Sequence, residues 1–424
     1  MKLVNILLFS YDYLWTLTLI ILLPLFPLGK KARLSDRLCL HLPHNKPKRK
    51  SIWIHTLSVG EFISALPIYH AIKKRHPSKS ILFSVKTAQG IKIAKDRLEN
   101  KNDLIVPMPL DFWWSVRRVS RYINPDILIL IESDIWPGLI NYLKRQGCKV
   151  LLINSRISPR TYNAYKRYSF FSKKILNFLD LFLTQSELDT KRLTDIGVAS
   201  EKVITTGNIK FDTPWSPMQN EDRMYWLSEL NFRLEDRIWV AGSCHAGEYE
   251  IIIEVYQRLL SSFPELCLIL APRNPETAGD ISDFCSFKGI ESFRRSDSRI
   301  INNNAKLLIL DSIGELGRIY GLAEISFVGG SLVPIGGHNL LEPASFGRPV
   351  LFGPHTHNFV EMSEMLIRSG GGLRVKDGES LYKSMKKLLK ERILADKMGR
   401  MAVKFVNTNR GALNRVLEYI ENYI

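Results

Sequence analysis

Short, almost wholly apolar runs alternate with helical patterns along this chain from residue 51 onward. The run 126–131, Asp-Ile-Leu-Ile-Leu-Ile, is a continuous apolar strand of the kind that is buried on both faces of a parallel sheet. Comparable runs occupy 81–85, 238–241 and 266–270, with helical stretches between them. Strands separated by helices form βαβ units, so the pattern predicts an α/β fold with doubly wound sheets.

A chain of 424 residues is long enough for two domains, each with its own core. The alternation pauses after Asp212, where Pro214 and Pro217 introduce a polar stretch that reaches about Arg237. We therefore predict two Rossmann-like domains that face each other across a cleft. The predicted boundaries are 1–29 for an N-terminal anchor, 30–213 for the first domain, 214–236 for a linker and 237–424 for the second domain.

The anchor prediction depends on residues 3–28, which are almost wholly apolar. A transmembrane helix needs roughly 20 apolar residues, and Pro24 and Pro27 interrupt this segment. The segment is therefore a borderline candidate for a transmembrane helix. A signal peptide is the main rival, but no small-residue cleavage site follows, and a basic cluster does. We expect a single membrane anchor that spans the bilayer or dips into one leaflet, with the domains on the cytoplasmic side. A buried amphipathic helix remains the alternative.

The charge balance is strongly basic, with 59 Lys and Arg against 42 Asp and Glu, a net charge of +17. Such an excess favours nucleic acid, acidic lipid or phosphorylated substrates as partners. The basic residues cluster at 30–50, directly after the apolar run, and Arg117, Arg118 and Arg121 follow the Trp113-Trp114 pair. This placement favours a membrane surface with anionic lipids over nucleic acid.

The five cysteines are scattered and odd in number, and none has a Cys or His neighbour at zinc-site spacing. We expect reduced, mostly buried thiols in a cytosolic compartment and no metal site.

A glycine-rich loop lies between two apolar runs, 325–328 and 349–352. It contains Gly329-Gly-Ser331 and Gly336-Gly-His-Asn339, and glycine lets the backbone approach a ligand closely. Asn339 is the expected N-cap of the next helix, so amides and the helix dipole would create an anion site. An ordinary tight βα connection explains the glycines alone, but the whole set favours a nucleotide or sugar-nucleotide site.

The loops at the carboxyl ends of the predicted strands contain further motifs, and ligands bind at such ends in doubly wound sheets. In chain order these motifs are His55-x-x-Ser58-Val-Gly-Glu61, Glu132-x-Asp134-x-Trp136-Pro137, Asn154-x-Arg156-x-Ser158, Thr206-Gly-Asn208-x-Lys210-x-Asp212, Gly242-Ser-x-His245-x-Gly-Glu248, Ala271-Pro-Arg273-x-Pro275, Gly314-Glu-Leu316 and Gly336-Gly-His-Asn-x-x-Glu342-Pro. The ordered set closely resembles the bacterial 3-deoxy-D-manno-octulosonic acid (Kdo) transferases over essentially the whole chain. Asp134 and Cys244 depart from the family pattern, where glutamate and threonine are expected.

The resemblance implies a GT-B fold with an acceptor-binding first domain and a donor-binding second domain. It implies a metal-independent, inverting glycosyltransferase without a cofactor, which moves Kdo from CMP-Kdo to a lipid A precursor (lipid IVA) during lipopolysaccharide synthesis at the bacterial inner membrane. Two alternatives stay open at this point. One is a GT-B enzyme that uses a UDP-sugar, and the other is a non-catalytic, membrane-anchored protein that binds anionic glycolipids.

Glu61 is the expected general base, because the same position in the family is the proposed base and inverting transfer must remove a proton from the attacking hydroxyl. Its place at a helix start is equally typical of a simple helix cap. Ser58, Asp134 and Arg156 are expected to line the acceptor side. The expected donor-binding residues are Lys210, Ser243, Pro272, Arg273, Ile313, Gly314, Glu315, Gly337, His338, Asn339 and Glu342.

Each donor-side group has an expected task. Arg273 can bind a phosphate or carboxylate through two parallel hydrogen bonds. Ser243, Gly337, His338 and Asn339 offer a hydroxyl, backbone amides and side-chain donors to the leaving CMP phosphate. Glu315 and Glu342 are acceptors suited to ribose hydroxyls or the cytosine amine. Lys210 could hold the Kdo carboxylate or a phosphate, or it could be a solvated linker lysine.

Overall fold

The structure, a computed structural model, describes residues 16–18, 34–43, 46–47, 50–85, 91, 94–95, 97–98, 103–132, 135–212, 215–297 and 305–424. The chain forms two compact units, Met1–Asp212 together with Arg410–Ile424, and Thr213–Asn409. Each unit contains a parallel sheet covered by helices, so the predicted α/β, doubly wound fold is confirmed.

The sheet of the first unit has seven parallel strands in the order β3-β2-β1-β4-β5-β6-β7. Adjacent β1 and β4 continue into connections that run in opposite directions along the sheet. Loops beside such a reversal are the usual place for ligands. The strands are β1 (Ser51–Thr56), β2 (Ser80–Val85), β3 (Leu104–Val106), β4 (Pro125–Ile131), β5 (Lys149–Ser155), β6 (Leu181–Thr184) and β7 (Val203–Thr205).

Helices cover both faces of this sheet, because alternate strand residues are apolar on both sides. Ile52 and Ile54 point into one core together with helices α2 and α16, whereas Trp53 belongs to the opposite core with α3, α4, α6 and α7. The helices of the first unit are α1 (Leu34–Arg37), α2 (Val59–Arg75), α3 (Trp113–Ile123), α4 (Pro137–Arg145), α5 (Pro159–Arg167), α6 (Ser169–Leu176), α7 (Glu187–Ile196) and α16 (Ala412–Glu421).

Helix α16 corrects the predicted second domain, which extended to residue 424. Val416, Leu417 and Ile420 are buried in the core of the first unit. The Asp212 carboxylate accepts hydrogen bonds from the amides of Gly411 (2.6 Å) and Leu413 (2.7 Å). Apolar burial and these bonds assign residues 410–424 to the first unit.

The predicted linker at 214–236 is also wrong in part, because it contains helix α8 (Asn220–Glu229). Leu227 and Leu230 are buried, and the Trp215 ring lies 5.9 Å from the Phe346 ring. This segment is therefore packed as part of the second unit, whose first residue is Thr213.

The second unit has seven parallel strands in the order β10-β11-β9-β8-β12-β13-β14. Here the order reverses between the adjacent strands β8 and β12. The strands are β8 (Arg237–Cys244), β9 (Leu266–Pro272), β10 (Ser292–Arg294), β11 (Leu307–Ile309), β12 (Ile325–Val328), β13 (Val350–Phe352) and β14 (Gly372–Arg374). Besides α8, the helices are α9 (Tyr249–Leu260), α10 (Ala278–Phe287), α11 (Leu316–Ile319), α12 (Leu341–Ser345), α13 (Val360–Arg368), α14 (Gly378–Lys390) and α15 (Arg392–Asn409).

The predicted anchor at 1–29 lies outside the described residues, apart from 16–18. In the part of the chain that the structure describes, no helix has the length and apolar character needed to cross a membrane. The five cysteines are free and buried.

Candidate active site

The buried carboxylate of Glu248 organises the glycine-rich loop of the second unit. Its two oxygens accept hydrogen bonds from the amides of His245 (3.0 Å), Gly330 (2.6 Å), Ser331 (2.8 Å) and Leu332 (2.8 Å). The side chain is fully buried, and burying a carboxylate is costly unless such donors satisfy it. Glu248 therefore fixes the loop after β12 against the loop after β8.

Ser243 adopts a left-handed backbone conformation at the end of β8, with φ of 58°. The pairing with β9 shifts register between Gly242 and Cys244, so the strand is irregular where its loop begins. A Cβ on Gly329 would lie 2.6 Å from the Ser243 carbonyl oxygen, so only glycine fits beside it. Non-glycine residues in this conformation are uncommon and concentrate at functional sites.

His245 and His338 face each other edge to edge through their Nε2 atoms. Their Nε2 atoms are 2.8 Å apart and their rings are nearly parallel, with centroids 5.1 Å apart. Burial and the nearby charge of Arg273 lower the pKa of His338 to about 4, and burial also lowers the pKa of His245. Both rings are neutral at pH 7, so one Nε2 donates and the other accepts.

Arg273 follows β9 and brings a positive charge to the histidine pair. Its amide donates to the Cys244 carbonyl (2.8 Å), which ties the loop after β9 to the end of β8. The side chain is exposed, and among the described residues no carboxylate lies within ion-pair distance of it. A guanidinium without a carboxylate partner is suited to an anionic ligand.

Glu342 and Asn339 complete this cluster. Asn339 donates to Glu342 Oε1 (3.2 Å) and accepts from the Leu341 amide (3.1 Å). Burial raises the pKa of Glu342, while the Asn339 bond and the charge of Arg273 oppose that rise. Helix α12 has only five residues and its N-cap is Leu340, so the prediction of Asn339 as N-cap is wrong by one residue.

Gly337 differs from its predicted use as an amide donor. Gly336 and Gly337 both donate to the Gly330 carbonyl, at 3.0 and 2.7 Å. Both have positive φ, which this tight loop requires. The Gly337 amide therefore holds the loop together, and His338 and Asn339 supply the polar side chains.

The loop with Ile313, Gly314 and Glu315 is built around an ion pair. Although partial burial opposes ionisation, hydrogen bonds from Arg295 and Ser312 hold the pKa of Glu315 below its usual value. Arg295 contacts both carboxylate oxygens (3.1 and 3.2 Å). Glu315 thus already has a cationic partner, in contrast to its predicted role as an acceptor for ribose or cytosine. Ile313 is 88% exposed, and Pro272 is buried at the end of β9.

Glu61 lies in the first turn of α2, directly after β1, in the first unit. Ser58 Oγ accepts from the Glu61 amide (3.2 Å), and Glu61 Oε2 accepts from the Leu57 amide (2.6 Å). The Ser58 side chain thus caps α2, and Glu61 reaches back past this N-cap to the amide of the residue before it, instead of to the N-cap amide as in a capping box. The structure therefore shows Glu61 at a helix cap, which was the alternative to a general base. The same bonds hold its half-buried carboxylate at the carboxyl end of the sheet.

Lys210 forms an ion pair with Glu132, both of them partly exposed. Glu132 follows β4 with φ of 69°, and Arg156 donates its amide to the Glu132 carbonyl (3.3 Å). Asn154 also has positive φ and accepts from the Ile209 amide (3.1 Å). Lys210 is thus neither a solvated lysine nor a cation without a partner.

Three residues at the strand ends of the two units carried no predicted role, although their motifs were visible. Glu248 and Glu132 follow β8 and β4, and Asn154 is the last residue but one of β5; their place near the carboxyl ends of strands is the only sequence signal for them. Asp134, predicted for the acceptor side, lies outside the described residues.

Comparisons with known proteins agree with the sequence resemblance. The family model described as 3-Deoxy-D-manno-octulosonic-acid transferase (kdotransferase) matches residues 32–213. A 3-deoxy-D-manno-octulosonic acid transferase of Haemophilus influenzae is 32% identical over 397 residues, which cover 93% of this chain and 92% of that protein. The protein of the same name from Aquifex aeolicus is 31% identical, covering 80% of this chain and 86% of its own.

The fold has a solved counterpart in another enzyme class. The UDP-GlcNAc 2-epimerase of Neisseria meningitidis superposes with a TM-score of 0.61 at 14% identity, covering 88% of this chain and 100% of that one. This likeness shows the fold alone and confirms the expected GT-B architecture. From the sequence relatives it follows that the chain is a glycosyltransferase and belongs to the 3-deoxy-D-manno-octulosonic acid transferase family.

Proposed function

We propose that this Kdo transferase takes the sugar from CMP-Kdo and adds one or more Kdo residues to a lipid A precursor such as lipid IVA, without a metal ion or cofactor. The observation that carries the donor proposal is the cluster of Arg273, the neutral His245–His338 pair and Glu342 at the strand ends of the second unit. It offers one cation and several hydrogen-bonding groups to an anionic nucleotide sugar.

In the proposed step, an acceptor hydroxyl attacks the anomeric carbon of Kdo while the bond from that carbon to the CMP phosphate breaks. The hydroxyl proton passes to Glu61, and CMP leaves with the bonding electrons. Arg273 stabilises the charge that develops on the phosphate, with Ser243 and His338 as hydrogen-bond donors. The Glu248 bonds support this assignment, because catalytic donors must be held in place before the reaction.

On the first unit, Ser58, Arg156 and Asp134 are proposed to contact the acceptor. Lys210 is proposed to bind the Kdo carboxylate, with Glu132 as its partner in the absence of substrate. We also propose that the enzyme works at the cytoplasmic face of the bacterial inner membrane, attached through residues 1–29. The basic residues that follow this segment support contact with anionic lipids.

The test is a transfer assay with the full-length protein, CMP-Kdo generated in situ and a tetraacylated lipid A precursor, in the presence of EDTA. Wild type should give Kdo-containing product, whose mass reports how many residues are added. Glu61→Gln should lose almost all activity while still binding CMP. UDP-GlcNAc in place of CMP-Kdo should give no product.

Each part of the proposal has its own contrary result. Comparable rates for wild type and Glu61→Gln would reduce Glu61 to a helix cap. Dependence on an added divalent cation would contradict metal-independent transfer, and consumption of the UDP-sugar would contradict the proposed donor.

A further inference from the structure

The junction of α5 and α6, with the first turn of α6, exposes three aromatic side chains within four residues. Tyr168, Phe170 and Phe171 are 59%, 54% and 49% exposed, and the two phenylalanine rings pack edge to face with centroids 5.5 Å apart. Single exposed apolar residues are normal on protein surfaces. A cluster of large rings that pack on one another at the surface instead marks a contact site.

The helices on either side bury few residues. Helix α5 has no buried residue, and α6 buries only Ser172 and Leu176. Residues 166–171 are all exposed, including Lys166 and Arg167. The fold therefore gives this segment little apolar contact of its own, and its aromatic side chains project from the helical layer.

The sequence around the rings is strongly basic. From residue 156 to 179 the sequence contains six Lys or Arg and no Asp or Glu. Lys174 Nζ lies 3.8 Å from the centre of the Phe170 ring, and Arg167 lies over Tyr168. Among the described residues, Lys166, Arg167, Lys173 and Lys174 form no ion pair, and the nearby carboxylate of Asp195 accepts from Tyr162 instead.

Exposed aromatic rings flanked by cations fit the interface of an anionic bilayer, where rings insert at headgroup level and Lys or Arg meet lipid phosphates. Helix α3 covers the same face of the sheet and exposes Trp113 with Arg117, Arg118 and Arg121. We propose that the surface formed by residues 166–171 with Lys173 and Lys174, the aromatic–basic tip, docks the first unit on an anionic lipid bilayer.

This inference deepens the proposed membrane partner by assigning it a surface outside the N-terminal segment. It rests on the proposed function in one respect, because docking on the bilayer would bring the acceptor side of the enzyme to a lipid substrate. Its test measures lipid contact and not sugar transfer, so the two proposals can fail separately.

The test uses the full chain with one introduced thiol. Because all five native cysteines are buried, Phe171→Cys can be labelled selectively with an environment-sensitive dye. The matched control is Tyr225→Cys on α8. Tyr225 is 59% exposed, but the residues before it in the same helix include the acidic Glu221 and Asp222. Vesicles contain phosphatidylcholine alone or with about 30% phosphatidylglycerol.

We expect the emission of the dye at position 171 to shift to the blue with anionic vesicles and to be quenched by nitroxide lipids. The dye at position 225 should show neither effect. No shift at 171, even if the protein sediments with the vesicles, would show that another segment binds and would overturn the proposal. An equal shift with pure phosphatidylcholine would refute the role of charge. A shift that needs no lipid and grows with protein concentration would identify a protein–protein surface instead.

A second pair of variants tests the energetics without a label. Lys173→Gln with Lys174→Gln should weaken affinity for the anionic vesicles about tenfold or more, since each cation near such a surface contributes to binding. Phe170→Ser with Phe171→Ser should weaken it to a similar degree. Both double variants should transfer Kdo to a detergent-dispersed acceptor as wild type does. Unchanged vesicle affinity in both would contradict the proposal.

Discussion

The strand ends of the two units place their charges differently. In the second unit, the buried Glu248 carboxylate is satisfied by four backbone amides, so it fixes two loops without using a cation. Arg273 nearby has no carboxylate partner among the residues described. In the first unit, by contrast, Lys210 is paired with Glu132. Arg273 can thus meet an anion as it stands, whereas Lys210 must leave Glu132 to do so.

The largest effect should come from breaking the Glu248 clamp. Glu248→Ala leaves four buried amides without an acceptor, and each unsatisfied donor costs about 1–3 kcal/mol before the loop relaxes. We expect the free energy of unfolding of the second unit to fall by about 3–5 kcal/mol, and CMP binding to be lost. Urea unfolding and calorimetric titration with CMP measure the two effects.

Glu250 provides the matched control for Glu248. Glu250 lies in the first turn of α9, and its carboxylate accepts a solvent-exposed hydrogen bond from the Gly247 amide (2.8 Å). Glu250→Ala should therefore change the free energy of unfolding by about 1 kcal/mol or less. If the free energy of unfolding fell by similar amounts in both variants, the buried hydrogen bonds of Glu248 would not be what holds the loop.

The sequence predicted those parts of the fold that depend on local pattern. Continuous apolar runs indicated the parallel strands, and glycines indicated the tight loop after β12. It did not predict that α16 returns to the first unit or that Glu132 meets Lys210, because both depend on contacts distant in sequence. Helix α8 was missed because Pro214 and Pro217 made the region look like a linker, although buried Leu227 ties it to the second unit.

Arg273 should matter for ligand binding and little for folding. Arg273→Gln removes the exposed cation of the cluster, and a charge-assisted hydrogen bond is worth about 1.5–3 kcal/mol, or roughly tenfold to a hundredfold in affinity. We expect the Kd for CMP to rise by this factor while the Tm stays unchanged. Arg294 is a partly exposed arginine of the second unit, so Arg294→Gln is the control and should bind CMP normally. A lowered Tm without weaker binding would assign Arg273 a structural role.

The histidine pair predicts a pH dependence of stability. The pKa of His338 is about 4 in the folded protein, below its ordinary value of 6.5, so the unfolded chain binds a proton more readily. Stability should therefore decrease as pH falls from about 6.5 towards 4. His338→Gln should flatten this decrease, and the exposed His70→Gln should not. Arg273→Gln should raise the pKa of His338, which NMR titration can measure; an unchanged pKa would contradict the assigned cause.

The smallest effect should come from the Lys210–Glu132 pair. Both side chains are partly exposed, so a double-mutant cycle with Lys210→Met and Glu132→Gln should give a coupling energy of about 1 kcal/mol or less in urea unfolding. The two single variants should differ in catalysis, because only Lys210→Met removes the cation proposed for the Kdo carboxylate. We expect a raised KM for CMP-Kdo in that variant and not in Glu132→Gln. Equal increases in both would mean that the intact ion pair, and not the lysine alone, is what the substrate requires.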